Sequence, residues 1–148
     1  MTLITKLIKF GIPIKDLILI YVLYIRSVLE YCCIVWHSSL TQDQSNDLER
    51  VQKVAIRTIL SDHDIPYETA FKKVKVQSLV ERREFLSLRW AKKCTRSQIN
   101  KHLFPRNTKS FKDFRTKEPF IVPYTKTERF LNSAIPYMTR LLNNNFTK

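Results

Sequence analysis

The sequence predicts an all-α protein, an irregular helical bundle with a basic extended arm and a short C-terminal helical segment. Glycine occurs once in 148 residues, against roughly 7% in an average protein. Tight hairpins and phosphate-binding loops depend on glycine, so hairpin-rich β folds and nucleotide-binding α/β folds are disfavoured. Apolar residues make up 44% of the chain, and their recurrence at steps of three and four positions is typical of amphipathic helices.

The N-terminal third predicts two helices. Gly11, which is free to take a positive φ, ends the first helix, and Pro13 opens the second. The second helix, over residues 14–38, is apolar over most of its circumference, so we expect protein to surround it. Arg26 and Glu30 interrupt it at ion-pair spacing. Because a membrane-spanning helix needs about 18 uninterrupted apolar residues, we predict no transmembrane segment.

Cysteine usage indicates the compartment. The three cysteines, Cys32, Cys33 and Cys94, fit neither a disulfide framework nor a usual zinc spacing. The apolar N-terminal region is not followed by the small residues of a secretory signal. We therefore expect reduced thiols in an intracellular protein, nuclear or cytoplasmic, that is not secreted.

Two capping boxes mark the central helices. Thr41, with glutamine three residues later, precedes a predicted helix over residues 41–60. Ser78, with glutamate at the same spacing, precedes another helix that ends near residue 95. A turn and a short helix over residues 67–73 are expected between them.

The C-terminal third changes in composition. Residues 105–127 contain prolines and many basic and hydroxyl side chains with little periodicity, which predicts an extended or partly disordered basic arm. Helical periodicity returns over 128–143, where we expect Pro136 to end or kink any helix. The predicted domains are a helical region over 1–100 and a basic arm with a C-terminal segment over 101–148.

Positive charge increases along the chain, whose formal charge is +13. Residues 1–60 hold seven basic and five acidic side chains, residues 61–100 nine and five, and residues 101–148 ten and three. This gradient favours a polyanionic partner, RNA or DNA, for the second half.

Basic side chains at helical spacing predict where that partner binds. The expected nucleic-acid contacts are Arg50, Lys53, Arg57, Arg82, Arg83, Arg89, Lys92, Lys93, Arg129 and Arg140. A solvated helix face is the alternative that fits most such runs, and acidic neighbours reduce the charge of both helical sets. Trp90, Phe120 and Tyr124 are candidates for base stacking, although the helical spacing of Trp90 favours a core position.

Metal and catalytic sites are weakly indicated. A polymerase site needs closely placed aspartates for two metal ions, and no Asp-Asp pair occurs. Asp62, His63 and Asp64 form one acidic and imidazole cluster, but their position before a proline favours a turn. Cys33 and His37 offer two ligands on one helix face, and a core role is favoured. We predict no catalytic residue, no metal site and no cofactor in this chain.

Short motifs recur along almost the whole chain in a recognisable order. They occupy residues 24–31 (YIRSVLEY), 35–37 (VWH), 48–53 (LERVQK), 55–60 (AIRTIL), 82–83 (RR), 91–93 (AKK), 129–137 (RFLNSAIPY) and 140–143 (RLLN). This succession resembles the region after the polymerase core in the reverse transcriptases of non-LTR retrotransposons, of Jockey-like and RTE-like elements. Trp90 stands where that family more often has phenylalanine.

The resemblance implies a C-terminal fragment of an RNA-directed DNA polymerase. The family's catalytic aspartates lie in an upstream polymerase domain, commonly preceded by an endonuclease domain, and the motifs here begin after both. This chain would then be a thumb or post-thumb region that helps to hold RNA template and DNA primer, and no enzyme by itself. Any Mg²⁺ would belong to the missing polymerase domain, which is a further expected partner.

Three alternatives remain open. The chain is a domesticated, stand-alone nucleic-acid-binding protein, or a membrane- or protein-interaction module built on the apolar helix over 14–36. The third alternative is a fragment that exposes a face once packed on the missing domain and folds poorly.

Overall fold

The computed structural model describes residues 2–62, 64–107 and 118–146, and these ranges confirm the all-α prediction. The helices are α1 (Thr2–Lys9), α2 (Ile14–Ile20), α3 (Ser27–Leu29), α4 (Cys33–Trp36), α5 (Gln42–Leu60), α6 (Tyr67–Val74), α7 (Leu79–Arg96), α8 (Glu128–Leu131) and α9 (Ala134–Phe146). A π-helical stretch, Tyr21–Arg26, joins α2 to α3, and 3₁₀ turns occupy His37–Ser39 and Lys101–Leu103.

The chain forms two compact units. Unit 1 comprises Met1–Tyr31 and Leu40–Arg82, and unit 2 comprises Cys32–Ser39 and Arg83–Lys148. This division differs from the expected boundary at residue 100. Its physical reason is that the second half of α7 contributes to the same hydrophobic core as the C-terminal segment.

The core of unit 1 forms between α1, α5 and the helical segment that contains α2. Ile4, Leu17, Tyr21, Ala55 and Ile59 are at most 2% exposed and pack together. Apolar positions on one face of each amphipathic helix therefore meet, as their spacing requires.

A buried polar network crosses this core. The Tyr21 hydroxyl donates to Gln52 Oε1 at 2.9 Å, and Gln52 Nε2 donates to the Gln77 carbonyl at 2.8 Å. One turn earlier on α5, the Glu49 carboxylate accepts 2.7 Å hydrogen bonds from the Tyr67 hydroxyl and the Val80 amide. The inner face of α5 thus fixes the start of α6 and the segment that leads from α6 into α7.

The prediction of one continuous helix over 14–38 is wrong. The helical segment ends at Leu29, and Cys32 takes the left-handed conformation at φ 50° before α4 begins. Helical backbone cannot continue through that conformation. The Arg26–Glu30 ion pair is confirmed at 3.6 Å, and Arg82 Nε lies 3.4 Å from the same carboxylate.

The expectation that protein surrounds this segment is also wrong within the described chain. Leu19, Leu23, Val28 and Tyr31 are 54%, 58%, 72% and 75% exposed. They form an exposed apolar surface of unit 1, which we call the apolar stripe. The opposite face, with Leu17 and Tyr21, is buried, because α1 and α5 cover one side only.

The remaining predictions of helix bounds and caps in the N-terminal and central regions are confirmed. Gly11 has φ 74° between α1 and the Pro13 that precedes α2. Thr41 and Gln44 form the capping box of α5 through reciprocal hydrogen bonds of 3.2 and 3.0 Å. α6 and α7 begin and end within one residue of their predicted bounds.

The core of unit 2 joins α7 to α9. It contains Ala91, Cys94, Phe104, Phe120, Met138 and Leu142, each at most 2% exposed. Phe120 belongs to the predicted arm, yet its amide and carbonyl form 3.0 Å hydrogen bonds with the Asn143 side chain. That part of the arm is extended and packed, while residues 108–117 lie outside the described residues.

The prediction that Pro136 ends or kinks a helix is wrong. Pro136 occupies the first turn of α9, which continues to Phe146. Amides in a first turn have no intrahelical acceptor, so proline removes no hydrogen bond there. The break between α8 and α9 falls earlier, at Asn132 and Ser133.

Candidate nucleic-acid interface

A groove of about 440 Å³ follows one face of α7. It is lined by Phe85, Leu88, Arg89, Lys92, Lys93 and Arg96. At 3.6 residues per turn these side chains fall within an arc of about 140°, opposite the face that contributes Ala91 and Cys94 to the core. Phe85 is 49% exposed, and all four cations are exposed. We call this feature the basic groove.

A second groove of about 400 Å³ shares two of these cations. It is lined by Lys92, Thr95, Arg96, Arg106, Phe120 and Asn145. Arg106 is exposed and stands opposite Phe120 in an isolated antiparallel bridge. The packed part of the arm therefore extends the cationic surface beyond the helix.

The cations of the basic groove are not neutralised within the described ranges. None of Arg89, Lys92, Lys93 and Arg96 forms an ion pair with a described carboxylate. Unit 2 holds 15 basic and four acidic side chains, a formal charge of +11, against 11 basic and nine acidic in unit 1. Unit 2 therefore carries most of the positive net charge of the chain.

The three predicted contacts on α5 have other partners. Arg50 pairs with Asp47 at 3.2 Å and is well exposed. Lys53 Nζ lies 4.4 Å from the centre of the Tyr67 ring, and Arg57 Nη2 donates to the Ile65 carbonyl at 3.2 Å. Lys53 and Arg57 thus stabilise unit 1 internally, and Arg50 alone of the three has an exposed side chain.

The adjacent arginines at the start of α7 are also engaged. Arg82 contacts the Glu30 carboxylate. Arg83 is 0% exposed, its Nε donates to His37 Nδ1 at 3.3 Å, and its guanidinium lies 5.7 Å from the Trp36 ring centre. Because Arg83 is fully buried, it has no surface with which to contact a phosphate.

The contact with Arg83 determines the chemistry of His37. An arginine nitrogen only donates, so His37 Nδ1 must accept and Nε2 carries the proton. Nε2 then donates to the Tyr137 hydroxyl, 3.3 Å away. Burial lowers the pKa of His37 to about 4, and the Arg83 charge contributes to the same shift. Burial also raises the pKa of Tyr137, so the cluster holds a neutral imidazole and a neutral phenol.

The two C-terminal contacts differ in accessibility. Arg129 is exposed on α8. Arg140 is half-buried, and its Nη2 donates to the Leu131 carbonyl at 3.0 Å, across the break between α8 and α9. Neither side chain lines the basic groove.

The aromatic residues predicted to stack with bases also differ in accessibility. Phe120 is 2% exposed, and Trp90 packs edge-on against Phe104 with ring centres 6.3 Å apart. Tyr124 is 83% exposed. The aromatic side chain of the groove is Phe85, which the sequence interpretation missed, as it did Arg106. The position of Phe85 one turn before Arg89 was the available signal.

The acidic turn has a structural role. Asp62 Oδ1 accepts hydrogen bonds from the amides of Asp64 and Ile65 at 3.2 and 3.1 Å, the turn geometry that the sequence favours. His63 lies outside the described residues. Elsewhere, no group of three or more potential ligands is placed to hold a metal ion among the residues that the structure describes.

Within the described ranges, no single helix has the length and apolar character needed to cross a membrane. The broken pair Ile14–Leu29 and Cys33–Ser39 reaches that length and composition only when both segments are combined. Comparison with known proteins found no matching family model, curated protein or solved structure.

Proposed function

We propose that this chain is an accessory RNA- or DNA-binding region of a retroelement RNA-directed DNA polymerase. It acts through the basic groove, with little sequence specificity and without a catalytic role of its own. The observation that carries the proposal is the set of four exposed cations on α7 with no described carboxylate paired to them. Phosphate contacts of this kind supply most of the affinity in non-specific nucleic-acid binding.

The charge distribution supports the same proposal. Unit 2 carries a formal +11, and a field of one sign attracts polyanions over a Debye length of about 10 Å. Lys92, Lys93 and Arg96 also lie in the last turns of α7, where cations complement the helix dipole. That stabilisation of the helix end needs no ligand, so binding must be tested separately from folding.

The test is fluorescence anisotropy with labelled RNA and DNA of about 20 nucleotides, over a salt series that begins at about 50 mM. Four phosphate contacts predict that the logarithm of the binding constant falls against the logarithm of salt concentration with a slope of about −3. Alanine at Arg89, Lys92, Lys93 and Arg96 should remove most of that slope.

The matched control removes four cations from unit 1, with alanine at the exposed Lys6, Lys9, Lys15 and Lys72. It has the same net charge as the groove variant and should retain most of the binding. Absence of binding at about 50 mM salt, or equal losses in the two variants, contradicts the proposal.

A protein-interaction role is the second candidate, and the apolar stripe favours it. Surface of this kind, with Val28 and Tyr31 72% and 75% exposed, is typical of a binding face. We propose the polymerase domain implied by the resemblance as its occupant. Hydrogen exchange over residues 19–31 should slow when this chain is produced together with the polymerase segment encoded upstream. If no polymerase sequence precedes the gene, this proposal fails and a stand-alone protein is favoured.

Liposomes provide the discriminating control for the membrane alternative. An apolar attachment survives high salt, whereas attachment through surface charge is screened. Salt-resistant co-sedimentation of the chain with neutral liposomes, abolished by serine at Leu23 and Val28, would favour a membrane over a protein partner.

A further inference from the structure

We propose that the basic groove binds unpaired nucleic-acid strands, with a base stacked on Phe85 and the flanking phosphates held by the surrounding cations. This inference rests on the proposed function and narrows its ligand to single-stranded RNA or DNA.

The apolar part of the groove lining carries the argument. Phe85 is 49% exposed, and Leu88 lies beside it among the lining residues. Phosphate recognition needs no apolar surface, so cations alone would suffice for a duplex. Bases of a duplex are stacked on one another, whereas a single strand offers their faces to an aromatic ring.

The arrangement of the cations matches the same ligand. Arg89 follows Phe85 by one helical turn, which places their Cβ atoms about 5–6 Å apart. Arg89 to Arg96 cover about 10 Å along the helix axis, so a backbone that follows α7 meets successive cations. The second groove continues this track from Lys92 and Arg96 to Arg106. Grooves that combine a basic track with an aromatic platform are the common design for sequence-tolerant single-strand binding.

The other aromatic candidates do not offer this combination. Phe120 is 2% exposed, although it is among the residues that line the second groove. Trp90 is half-buried against Phe104. Tyr124 is exposed but lines neither groove. Of these four rings, Phe85 alone is both well exposed and part of the lining of the basic groove.

The test compares three labelled ligands of equal length on the unmodified chain at one salt concentration. They are a mixed-sequence single strand, its blunt duplex, and an abasic strand that keeps the phosphates and lacks the bases. Stacking of one base predicts about a five- to hundredfold tighter binding of the normal strand than of the abasic strand. The single strand should also bind more tightly than the duplex.

Variants at Phe85 then test whether the base stacks on this ring. Phe85→Ala should reduce the affinity for the normal strand toward that of the abasic strand, and Phe85→Tyr, which keeps an aromatic face, should restore it. Phe130→Ala is the matched control, because Phe130 is 46% exposed and lines neither groove. Circular dichroism of each variant confirms that the helices remain. The comparison with the abasic strand uses the unmodified chain, so it tests whether a base contributes to binding even if Phe85→Ala unfolds.

The outcomes separate the two proposals. Equal binding of all three ligands, or tighter binding of the duplex, overturns the single-strand inference while nucleic-acid binding stands. Failure to bind any of them overturns both. Poly-glutamate that displaces the labelled strand as effectively as unlabelled single strand does, at equal charge concentration, also overturns the inference, because it would indicate an acidic protein as the partner.

Discussion

α5 and α7 both carry basic side chains at steps of three and four residues, and in the sequence the two sets look alike. On α5, Lys53 lies over the Tyr67 ring and Arg57 donates to the Ile65 carbonyl, so both stabilise unit 1. On α7, the cations of the basic groove are exposed and have no carboxylate partner among the described residues. Helical spacing shows which side chains share a face, while the packing around that face decides whether their donors are still available.

The same contrast occurs within α7 itself. Arg83 is fully buried against His37 and Trp36, whereas Arg89, less than two turns later, is exposed in the groove. A buried guanidinium requires hydrogen-bonding partners around it, which leaves none of its surface for a phosphate. Whether an arginine of α7 is buried in packing or exposed to solvent therefore depends on which side of the helix it occupies.

The largest expected effect is a loss of nucleic-acid affinity when the basic groove loses its positive charge. Lys92→Glu with Arg96→Glu reverses the two cations that both grooves share. At roughly 1.5 kcal/mol for each charged contact, affinity for nucleic acid should fall about a hundredfold. The control, Arg50→Glu with Lys72→Glu, makes the same charge change at exposed sites of unit 1. If anisotropy titrations showed equal losses of affinity in the two variants, the cations of the basic groove would be no more important for binding than those of unit 1.

The next effect tests the buried face of α5. Gln52→Ala leaves the Tyr21 hydroxyl and the Gln77 carbonyl without their hydrogen-bond partner, and this should lower the free energy of unfolding by about 2–3 kcal/mol. Urea denaturation measures the change. Gln42→Ala, on the exposed first turn of α5, should change it by no more than about 0.5 kcal/mol. A loss below that limit at Gln52 would mean that the network contributes little.

The next prediction concerns how folding stability depends on pH, and it tests the buried cluster of His37, Arg83 and Tyr137. The pKa of His37 is about 4 in the folded chain, below the ordinary histidine value of 6.5, so the unfolded chain binds a proton more readily. Stability from this group is complete above pH 6.5 and declines as the pH falls toward 4, by roughly 1–3 kcal/mol for a half-buried ring.

Denaturation at a series of pH values measures this decline, and His37→Gln serves as the control. Glutamine can accept from Arg83 and donate to Tyr137 without titrating. Its pH profile should therefore be flatter over this interval. An unchanged profile would show that another group causes the decline.

The smallest expected effects come from replacing one lysine by alanine on each of α5 and α7. Lys53→Ala removes the cation–π contact with Tyr67 and should lower the free energy of unfolding by about 0.5–1 kcal/mol, with little change in nucleic-acid affinity. Lys92→Ala should change stability by less than about 0.5 kcal/mol and weaken binding. Thermal denaturation and anisotropy on the same two proteins provide both measurements, and the reverse pattern would contradict the assignment of roles.

Local features of the fold were predictable because their causes lie within a few residues. Gly11 and Pro13 separate α1 from α2, and the Thr41–Gln44 box begins α5, as expected. The failures have a different origin. Apolar composition would continue the N-terminal helix to α4, but it ends at Leu29 and Cys32 takes the left-handed conformation before α4. Pro136 does not disturb α9, because the preceding break places it in a first turn.

The candidate site was predictable only in part. The cations Arg89, Lys92 and Lys93 were expected from spacing and charge, and all three are exposed. Phe85 looked like another core position of an amphipathic helix, and Phe120 looked like an exposed aromatic of a polar arm. Their burial is the opposite, 49% against 2% exposed, because it depends on which residues far away in the chain pack against each ring.

The sequence by itself determined that this protein is helical, where most helices begin, and that its positive charge increases toward the C-terminus. These properties depend on glycine scarcity, capping residues and composition, which act locally or by summation. The tertiary structure alone decided which cations have partners, which of the rings Phe85 and Phe120 is exposed, and that the described residues leave one face of the N-terminal helical segment uncovered. Those outcomes depend on contacts such as His37 with Arg83 and Phe120 with Asn143, between residues separated in the chain by 46 and 23 positions.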